Sequence, residues 1–287
     1  MKTLPSWFTK DVPSGSNYRR VVDLMDDLKL NTVCKEAKCP NVGECYSRGT
    51  ATFMVLGDVC TRNCGFCAIQ LGKPRQVDAD EPKRLSEAVQ RLGLKHVVIT
   101  MVTRDDLLDG GAAHLAEVIR AVQKNCECTI EVLTSDFRGR KENVLAVLDA
   151  RPEVFNHNVE TVPRLHKKIR PMMAYQRSLD VLKWAKEYCP EVVLKSGLML
   201  GLGETEKEVH EVLKDLRAIG CESVTMGQYL RPPNSHLELD HFVSPEEFDI
   251  LGDYAKSIGF PLVQSGPLVR SSYRADEAIK ELKYAKN

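Results

Sequence analysis

The strongest constraint on the fold is a regular alternation of short apolar runs with amphipathic stretches, which begins at Thr52. Six apolar runs occupy positions 52–57, 96–102, 129–134, 154–159, 192–200 and 223–230. Between these runs, apolar residues recur at the spacing of a helix that buries one face. Strands that alternate with helices in this way form βαβ units, and their strands lie parallel in one sheet.

Six such units are two fewer than a closed eight-stranded barrel contains. We therefore predict an α/β fold, a partial (β/α)6 barrel of the TIM type over residues 51–262. Residues 1–50 are predicted to form an N-terminal extension, and residues 263–287 a C-terminal tail. Within the extension, helical spacing of apolar residues predicts a helix around 18–30. The cysteine-bearing segment that follows has little periodicity, and we predict that it forms loops.

Composition excludes several classes of protein. Lys+Arg and Asp+Glu both number 40, so the formal net charge is zero, which argues against a nucleic-acid partner bound through bulk charge. No stretch approaches the roughly 18 apolar residues of a membrane span, and the N-terminus lacks the apolar core of a secretory signal. We therefore expect a cytoplasmic protein with no membrane association. In that compartment thiols stay reduced, so clustered cysteines indicate metal ligands.

Six of the ten cysteines lie close together in two groups of three. They are Cys34, Cys39 and Cys45, spaced C-x4-C-x5-C, and Cys60, Cys64 and Cys67, spaced C-x3-C-x2-C. Thiolates are ligands for zinc or for iron–sulfur clusters. A structural zinc site needs four ligands, usually with a second ligand pair downstream, and the sequence shows no such pair. Three cysteines can instead hold three irons of a cubane cluster. A zinc site completed by a distant residue remains the alternative.

The second cysteine group resembles the signature of the radical S-adenosylmethionine (SAM) superfamily. Phe66 precedes the last cysteine, and the group follows the first predicted strand, where that superfamily binds its catalytic cluster. The resemblance implies a [4Fe–4S] cluster whose open iron chelates SAM, and a 5′-deoxyadenosyl radical that abstracts hydrogen. It also implies a glycine-rich element for the methionyl group after the second strand. Gly110 and Gly111 lie there, although a glycine pair alone indicates only a turn.

Polar residues interrupt the carboxyl ends of several predicted strands, where parallel α/β folds bind their ligands. These residues are Glu131, Asn156, His157, Asn158, Glu160, Lys195 and Gln228. Together they predict a polar ligand pocket, although some could instead satisfy only one another inside the barrel. The superfamily resemblance implies that five of them are candidates for SAM contacts, without individual roles. The five are Glu131, Asn156, Asn158, Glu160 and Lys195.

A wider set of motifs resembles the lipoyl synthase family over nearly the whole chain. The motifs are CKEAKCPNVGEC, CTRNCGFC, DDLLDGGAAH, FNHNVETVPRL, KSGLMLGLGET and GPLVRSSYRA. The first motif and the RSSY element of the last are the most specific. The resemblance implies that Cys34, Cys39 and Cys45 hold a second, auxiliary [4Fe–4S] cluster that is consumed as a sulfur donor. A serine of RSSY would bind its fourth iron, namely Ser272 by motif position, with Ser271 as the alternative.

The resemblance also implies the reaction and its partners. Sulfur would be inserted at C6 and C8 of a protein-bound octanoyl-lysine, giving the lipoyl cofactor. A radical is needed because no base removes a proton from an unactivated methylene at neutral pH. The implied partners are octanoylated carrier domains (2-oxoacid dehydrogenase E2 and glycine cleavage H protein), a reductant such as ferredoxin or flavodoxin, and an iron–sulfur carrier protein. Another two-cluster radical SAM sulfurtransferase or methylthiotransferase, or a non-catalytic zinc protein, are the alternatives.

Overall fold

The six predicted apolar runs all form strands of one eight-stranded sheet. The computed structural model describes residues 3–10, 15–233 and 235–285. Its strands are β1 (Asn31–Thr32), β2 (Thr52–Val55), β3 (Val59–Cys60), β4 (Gln70–Leu71), β5 (His96–Met101), β6 (Thr129–Leu133), β7 (Val154–Asn156), β8 (Val193–Leu200), β9 (Ser223–Gln228) and β10 (Leu262–Gly266). In the main sheet β1 pairs antiparallel with β2, and β2, β5, β6, β7, β8, β9 and β10 follow in parallel register. Strands β3 and β4 form a separate short ladder.

Helices follow most of the parallel strands, as expected for βαβ units. They are α1 (Ser16–Asp27), α2 (Val33–Glu36), α3 (Val42–Ser47), α4 (Glu81–Leu92), α5 (Ala112–Asn125), α6 (Lys141–Leu148), α7 (Pro163–Ile169), α8 (Tyr175–Tyr188), α9 (Glu206–Ala218), α10 (Pro245–Ser257) and α11 (Ala275–Ala285). Thr205 and Ser244 begin α9 and α10 with capping boxes, in which the hydroxyl accepts a hydrogen bond from the N3 amide. Short 3-10 turns cover Ser6–Phe8 and Phe137–Gly139. No described helix is both long and apolar enough to cross a bilayer.

The predicted α/β fold with a mostly parallel sheet is confirmed, but the sheet has one more parallel strand than the sequence indicated. The additional strand is β10, and most of its side chains are only partly buried. Because its sequence LVQSG lacks a continuous apolar run, periodicity did not reveal it. The strand includes position 262, where we predict that the barrel ends. Within the described residues, no pairing joins β1 to β10 to close the sheet.

The cysteine-bearing segment differs from the prediction of loops, because it contains helices α2 and α3. These helices are four and six residues long, too short to produce a helical repeat of apolar residues. Helix α2 is stabilised at its start by Thr32, whose Oγ1 accepts a hydrogen bond from the amide of Lys35 at 3.3 Å. The helix predicted around 18–30 is confirmed as α1.

Candidate functional site

A cavity of about 370 Å³ lies beside the carboxyl ends of the parallel strands, and three distant parts of the sequence line it. The extension contributes its three cysteines, the loop after β2 contributes one cysteine, and the C-terminal segment contributes both RSSY serines. The polar and cysteine lining includes Cys34, Cys39, Cys45, Cys67, Asn158, Glu160, Ser271 and Ser272. The structure therefore brings the upstream cysteine group, one cysteine of the second group (Cys67) and the serine pair to one cavity.

The three upstream cysteines lie close enough for their thiols to influence one another electrostatically. Burial raises the pKa of Cys34 to about 11, and the neighbouring Cys39 thiol adds to this effect. Burial likewise raises the pKa of Cys45 to about 12, again with contributions from the other two thiols. All three cysteines are free of disulfides. A metal that binds here must therefore displace the protons of the neutral Cys34 and Cys45 thiols.

The second cysteine group lies on the loop that follows β2. Cys67 lines the cavity and is exposed, whereas Cys60 and Cys64 are half-buried. The loop is fixed from two sides: the amide of Gly65 donates to the carbonyl of Ile169 at 2.9 Å. The hydroxyl of Ser235 donates to the carbonyl of Gly65 at 2.6 Å.

Arg62 anchors this loop from within the cysteine motif, and the sequence analysis did not identify it. Its guanidinium donates to both carboxylate oxygens of Asp105, at 2.6 and 2.7 Å, and to Asp136 at 2.6 Å. Asp105 follows β5 and Asp136 follows β6, so one buried cation joins three strand ends. The sequence shows an arginine between two cysteines of the motif, which could have marked Arg62 as a functional residue. Its partners Asp105 and Asp136 are too far away in the sequence to be recognised there.

The predicted polar residues divide into two groups, and the first group faces the cavity. Asn158 Nδ2 donates to Ser271 Oγ at 2.7 Å and to Glu160 Oε1 at 3.1 Å. Burial raises the pKa of Glu160, while Arg170 and the bond from Asn158 oppose that rise. Asn158 Oδ1 is buried without a hydrogen-bond partner, as is Nε of Arg170. Such unpaired groups beside a cavity are suited to a polar ligand.

The second group forms a buried network away from the cavity lining. Lys195 Nζ lies 2.9 Å from Glu131 Oε1, and Asn156 Nδ2 donates to the same oxygen at 3.1 Å. His96 Nε2 lies 3.6 Å from Glu131 Oε2. Burial alone would raise the pKa of Glu131, but the Lys195 ammonium and His96 lower it to about 2. Glu131 and Lys195 satisfy one another, which is the alternative that the sequence left open, but Asn156 Oδ1 and His96 Nε2 are buried without a hydrogen-bond partner.

Gly110 and Gly111 form the turn before α5 and are not among the residues that line the cavity. Their φ angles of 64° and 88° lie in the left-handed region. The carboxylate of Asp109 accepts hydrogen bonds from the amides of Gly111 and Ala113, both at 2.9 Å. A Cβ on Gly111 would overlap Cδ1 of Leu56, at the end of β2. The observed contacts therefore give this pair a role in the turn, and contact with SAM stays a prediction.

These features fit two iron–sulfur clusters and a polar ligand. Each group supplies three free thiols, and the groups reach the same cavity beside unpaired polar atoms. In a cubane each thiolate binds a different iron, so the three sulfurs need not converge on one point. The described residues indeed contain no group of three ligands close enough to hold a single metal ion.

Comparison with known proteins identifies the family. Residues 54–216 match the model of the radical SAM superfamily, and residues 1–39 match that of the N-terminal domain of lipoyl synthase. The lipoyl synthase of Caldanaerobacter subterraneus subsp. tengcongensis is 52% identical over 275 residues, which cover 96% of each chain. That of Rubrobacter xylanophilus is 50% identical over 278 residues, covering 96% of this chain and 87% of the other.

The chain belongs to the lipoyl synthase family. Lipoyl synthases are radical SAM enzymes that use SAM and [4Fe–4S] clusters, and the chain is an enzyme of this kind. The full-length match to lipoyl synthases favours this activity over a methylthiotransferase or a zinc protein.

Solved structures of other radical SAM proteins share the fold. A methylornithine synthase superposes with a TM-score of 0.53 at 14% identity, covering 94% of this chain and 96% of that chain. SuiB of Streptococcus suis, solved with S-adenosylmethionine, superposes with a TM-score of 0.55 at 12% identity, covering 76% and 51%. At these identities the likeness concerns the fold alone.

Proposed function

We propose that the chain inserts two sulfur atoms, at C6 and C8, into an octanoyl chain carried on a lysine of a carrier protein. The observation that carries this proposal is one cavity lined by all three upstream cysteines, by Cys67 of the second group and by the RSSY serines. When bound, the two clusters and SAM would supply a hydrogen-abstracting radical and the sulfur atoms. A shared cavity lets both chemistries reach one acyl chain without its release.

Cys60, Cys64 and Cys67 are the proposed ligands of the catalytic cluster. Asn158 and Glu160 are the proposed SAM-orienting residues, because both line the cavity and Asn158 Oδ1 has no protein partner. The remaining SAM candidates are Gly110, Gly111, Glu131, Asn156 and Lys195. Of these, Glu131, Asn156 and Lys195 would act from behind the cavity wall, since their network joins strands β6, β7 and β8.

Cys34, Cys39 and Cys45 are the proposed ligands of the auxiliary cluster, with Ser272 as the fourth. The hydroxyl of Ser271 is already engaged by Asn158. The hydroxyl of Ser272 has no hydrogen bond among the described residues, which favours it as the ligand. An alkoxide oxygen is a harder ligand than a thiolate and suits iron less well. It can therefore be released when the cluster gives up sulfur.

The apolar part of the cavity suits the acyl chain. Leu198, Met199, Tyr229 and Val269 contribute to its lining. Apolar walls bind a hydrocarbon chain and exclude water from a reaction that water would intercept. The proposed carriers are 2-oxoacid dehydrogenase E2 domains and the glycine cleavage H protein. We also propose ferredoxin or flavodoxin as the reductant and an iron–sulfur carrier protein as a further partner. The proposed location is the cytoplasm.

An anaerobic assay tests the function directly. The reconstituted chain is incubated with SAM, a reductant and an octanoyl-lysine peptide, and the peptide is weighed by mass spectrometry. Gain of two sulfur atoms is the expected result. Cleavage of SAM with no change in the acyl chain would reject the proposed substrate. Stoichiometric zinc in place of iron and sulfide would reject the radical reaction itself.

A further inference from the structure

The RSSY serine pair is held from both sides by one short segment of the N-terminal extension. On its amino side, Asn41 Nδ2 donates to the carbonyl of Leu268 at 2.7 Å. On its carboxyl side, Glu44 accepts from the hydroxyl of Tyr273 at 2.9 Å and from Arg274 Nη2 at 3.0 Å. Both anchoring residues lie in the stretch between the second and third cysteines of the auxiliary group. The segment that carries two auxiliary thiols thus also fixes the chain on either side of the serines.

Lys10 links the two anchors to each other. Its ammonium donates to Asn41 Oδ1 at 2.6 Å and to Glu44 Oε2 at 2.7 Å. The Glu44 carboxylate thus lies between two cations, Lys10 and Arg274, and accepts charge-assisted hydrogen bonds, which are stronger than neutral ones. We name the set the bracket: Lys10, Asn41, Glu44, Leu268, Tyr273 and Arg274.

We propose that the bracket holds Ser272 beside the auxiliary cysteines whether or not a cluster is bound, with Glu44 as its main positioning residue. Every bracket contact joins two protein groups, so none depends on iron. Anchors at Leu268 and Tyr273 leave only four residues between them, and a segment this short has little freedom to move away. The inference rests on the proposed role of Ser272 in the auxiliary site.

The bracket matters because the auxiliary cluster is consumed in the proposed reaction. If only iron held Ser272, loss of the cluster would release the C-terminal tail. The tail would then have to become ordered again each time the cluster is rebuilt. Ordering each residue of the tail again costs backbone entropy. With the bracket intact, the fourth ligand stays in place, and a new cluster meets a preorganised site.

A chain that keeps only the auxiliary site tests the bracket. Full-length protein with Cys60→Ala, Cys64→Ala and Cys67→Ala is reconstituted anaerobically with iron and sulfide. After mild oxidation, Mössbauer spectroscopy measures the ratio of three-iron to four-iron clusters, because an iron without a protein ligand is lost first. In this background we expect Glu44→Gln to raise the ratio about tenfold, as loss of a charged hydrogen-bond partner would. Rebuilding after chelation should slow by a similar factor.

Two further variants make the test specific. Asp276→Asn is the matched control, because Asp276 pairs with Arg48 at 3.3 Å between the same two segments but lies outside the bracket. It should leave the ratio unchanged. Tyr273→Phe removes one bracket donor and keeps the Glu44 carboxylate, so it should give a smaller rise. It also serves if Glu44→Gln fails to fold.

The outcomes separate the inference from the function on which it rests. A wild-type ratio in both Glu44→Gln and Tyr273→Phe, with a raised ratio in Ser272→Ala, would overturn the bracket and retain the serine ligand. An unchanged ratio in Ser272→Ala would overturn the ligand assignment and the bracket together. Failure of the three-alanine background to bind any cluster would do the same.

Discussion

At the scale of single residues, a hydrogen bond from Asn158 distinguishes Ser271 from Ser272 in the RSSY element. The Asn158 amide donates to Ser271, and a Cβ on Gly197 would lie 3.2 Å from the Ser271 hydroxyl, so that serine packs against β8. We therefore expect Ser272→Ala to abolish sulfur insertion, because it removes the proposed fourth ligand of the auxiliary cluster. Ser271→Ala is the matched control and should retain most of the activity.

The comparison is read by mass spectrometry of the octanoyl peptide, with 5′-deoxyadenosine measured in parallel. SAM cleavage should persist in Ser272→Ala, because the Cys60, Cys64 and Cys67 group is untouched. Insertion at the wild-type rate in this variant, with loss in Ser271→Ala, would reverse the assignment.

The buried pair of Glu131 and Lys195 makes a second prediction at this scale. Lys195→Met leaves a carboxylate in the core without its cation, and removal of one partner from such a pair costs about 3–5 kcal/mol. Lys256→Met is the control, since its exposed pair with Asp253 is worth about 0–1 kcal/mol. Urea unfolding followed by circular dichroism measures both costs. Equal costs in the two variants would contradict a structural role for the buried pair.

The pH dependence of this pair has a defined sign. In the wild type the pKa of Glu131 is about 2, below an unfolded value of roughly 4.3, so its contribution is present above that value and is lost as the pH falls toward 2. In Lys195→Met, burial instead raises the pKa of Glu131, so the variant loses stability as the pH rises. The difference in unfolding free energy between the two proteins should grow from about pH 4 to about pH 7. A difference that is constant with pH would contradict this account.

The turn between β5 and α5 is the informative feature at the scale of secondary-structure elements. Gly111 begins α5 against the end of β2, where it packs on Leu56. In Gly111→Ala, the new side chain would sit on a left-handed backbone, and its Cβ would overlap the buried side chain of Leu56. Gly57→Ala is matched for backbone conformation, with φ of 97°, but its Cβ would meet nothing within 4 Å.

We expect Gly111→Ala to cost about 1–3 kcal/mol more than Gly57→Ala, because inserting a methyl group into a packed site forces neighbours to move. Thermal or urea unfolding of the two variants gives the difference. Equal losses of unfolding free energy in the two variants would show that the contact with Leu56 does not contribute to stability. Only the left-handed backbone conformation would then account for the need for glycine at both positions.

At the scale of the whole molecule, the cavity unites a site that is divided among the extension, the barrel and the tail. Replacing Cys34, Cys39 and Cys45 by alanine should remove one cluster, and replacing Cys60, Cys64 and Cys67 should remove the other. Anaerobic iron and sulfide analysis should fall from roughly eight of each per chain to roughly four in either variant. Only the first variant should still cleave SAM. Complete loss of iron in both variants would show that the clusters are not independent.

The sequence by itself determined the local chemistry and the class of fold. Apolar runs revealed six strands because burial on both faces of a parallel sheet requires continuous apolar residues. The two cysteine groups were visible because a ligand set on one loop must be close in sequence. Strand β10 and helices α2 and α3 were missed, since short or half-exposed elements leave no periodic signal.

Only the tertiary structure decided which residues meet. It divided the five candidates for SAM contacts, with Asn158 and Glu160 at the cavity and Glu131, Asn156 and Lys195 in a buried network behind it. It also brought Glu44 to Tyr273 and Arg62 to Asp136. Such pairs are 229 and 74 residues apart in the chain, and nothing in the local pattern of either partner encodes the other. Their proximity is set by how the sheet and the two terminal segments pack, which depends on contacts along the whole molecule.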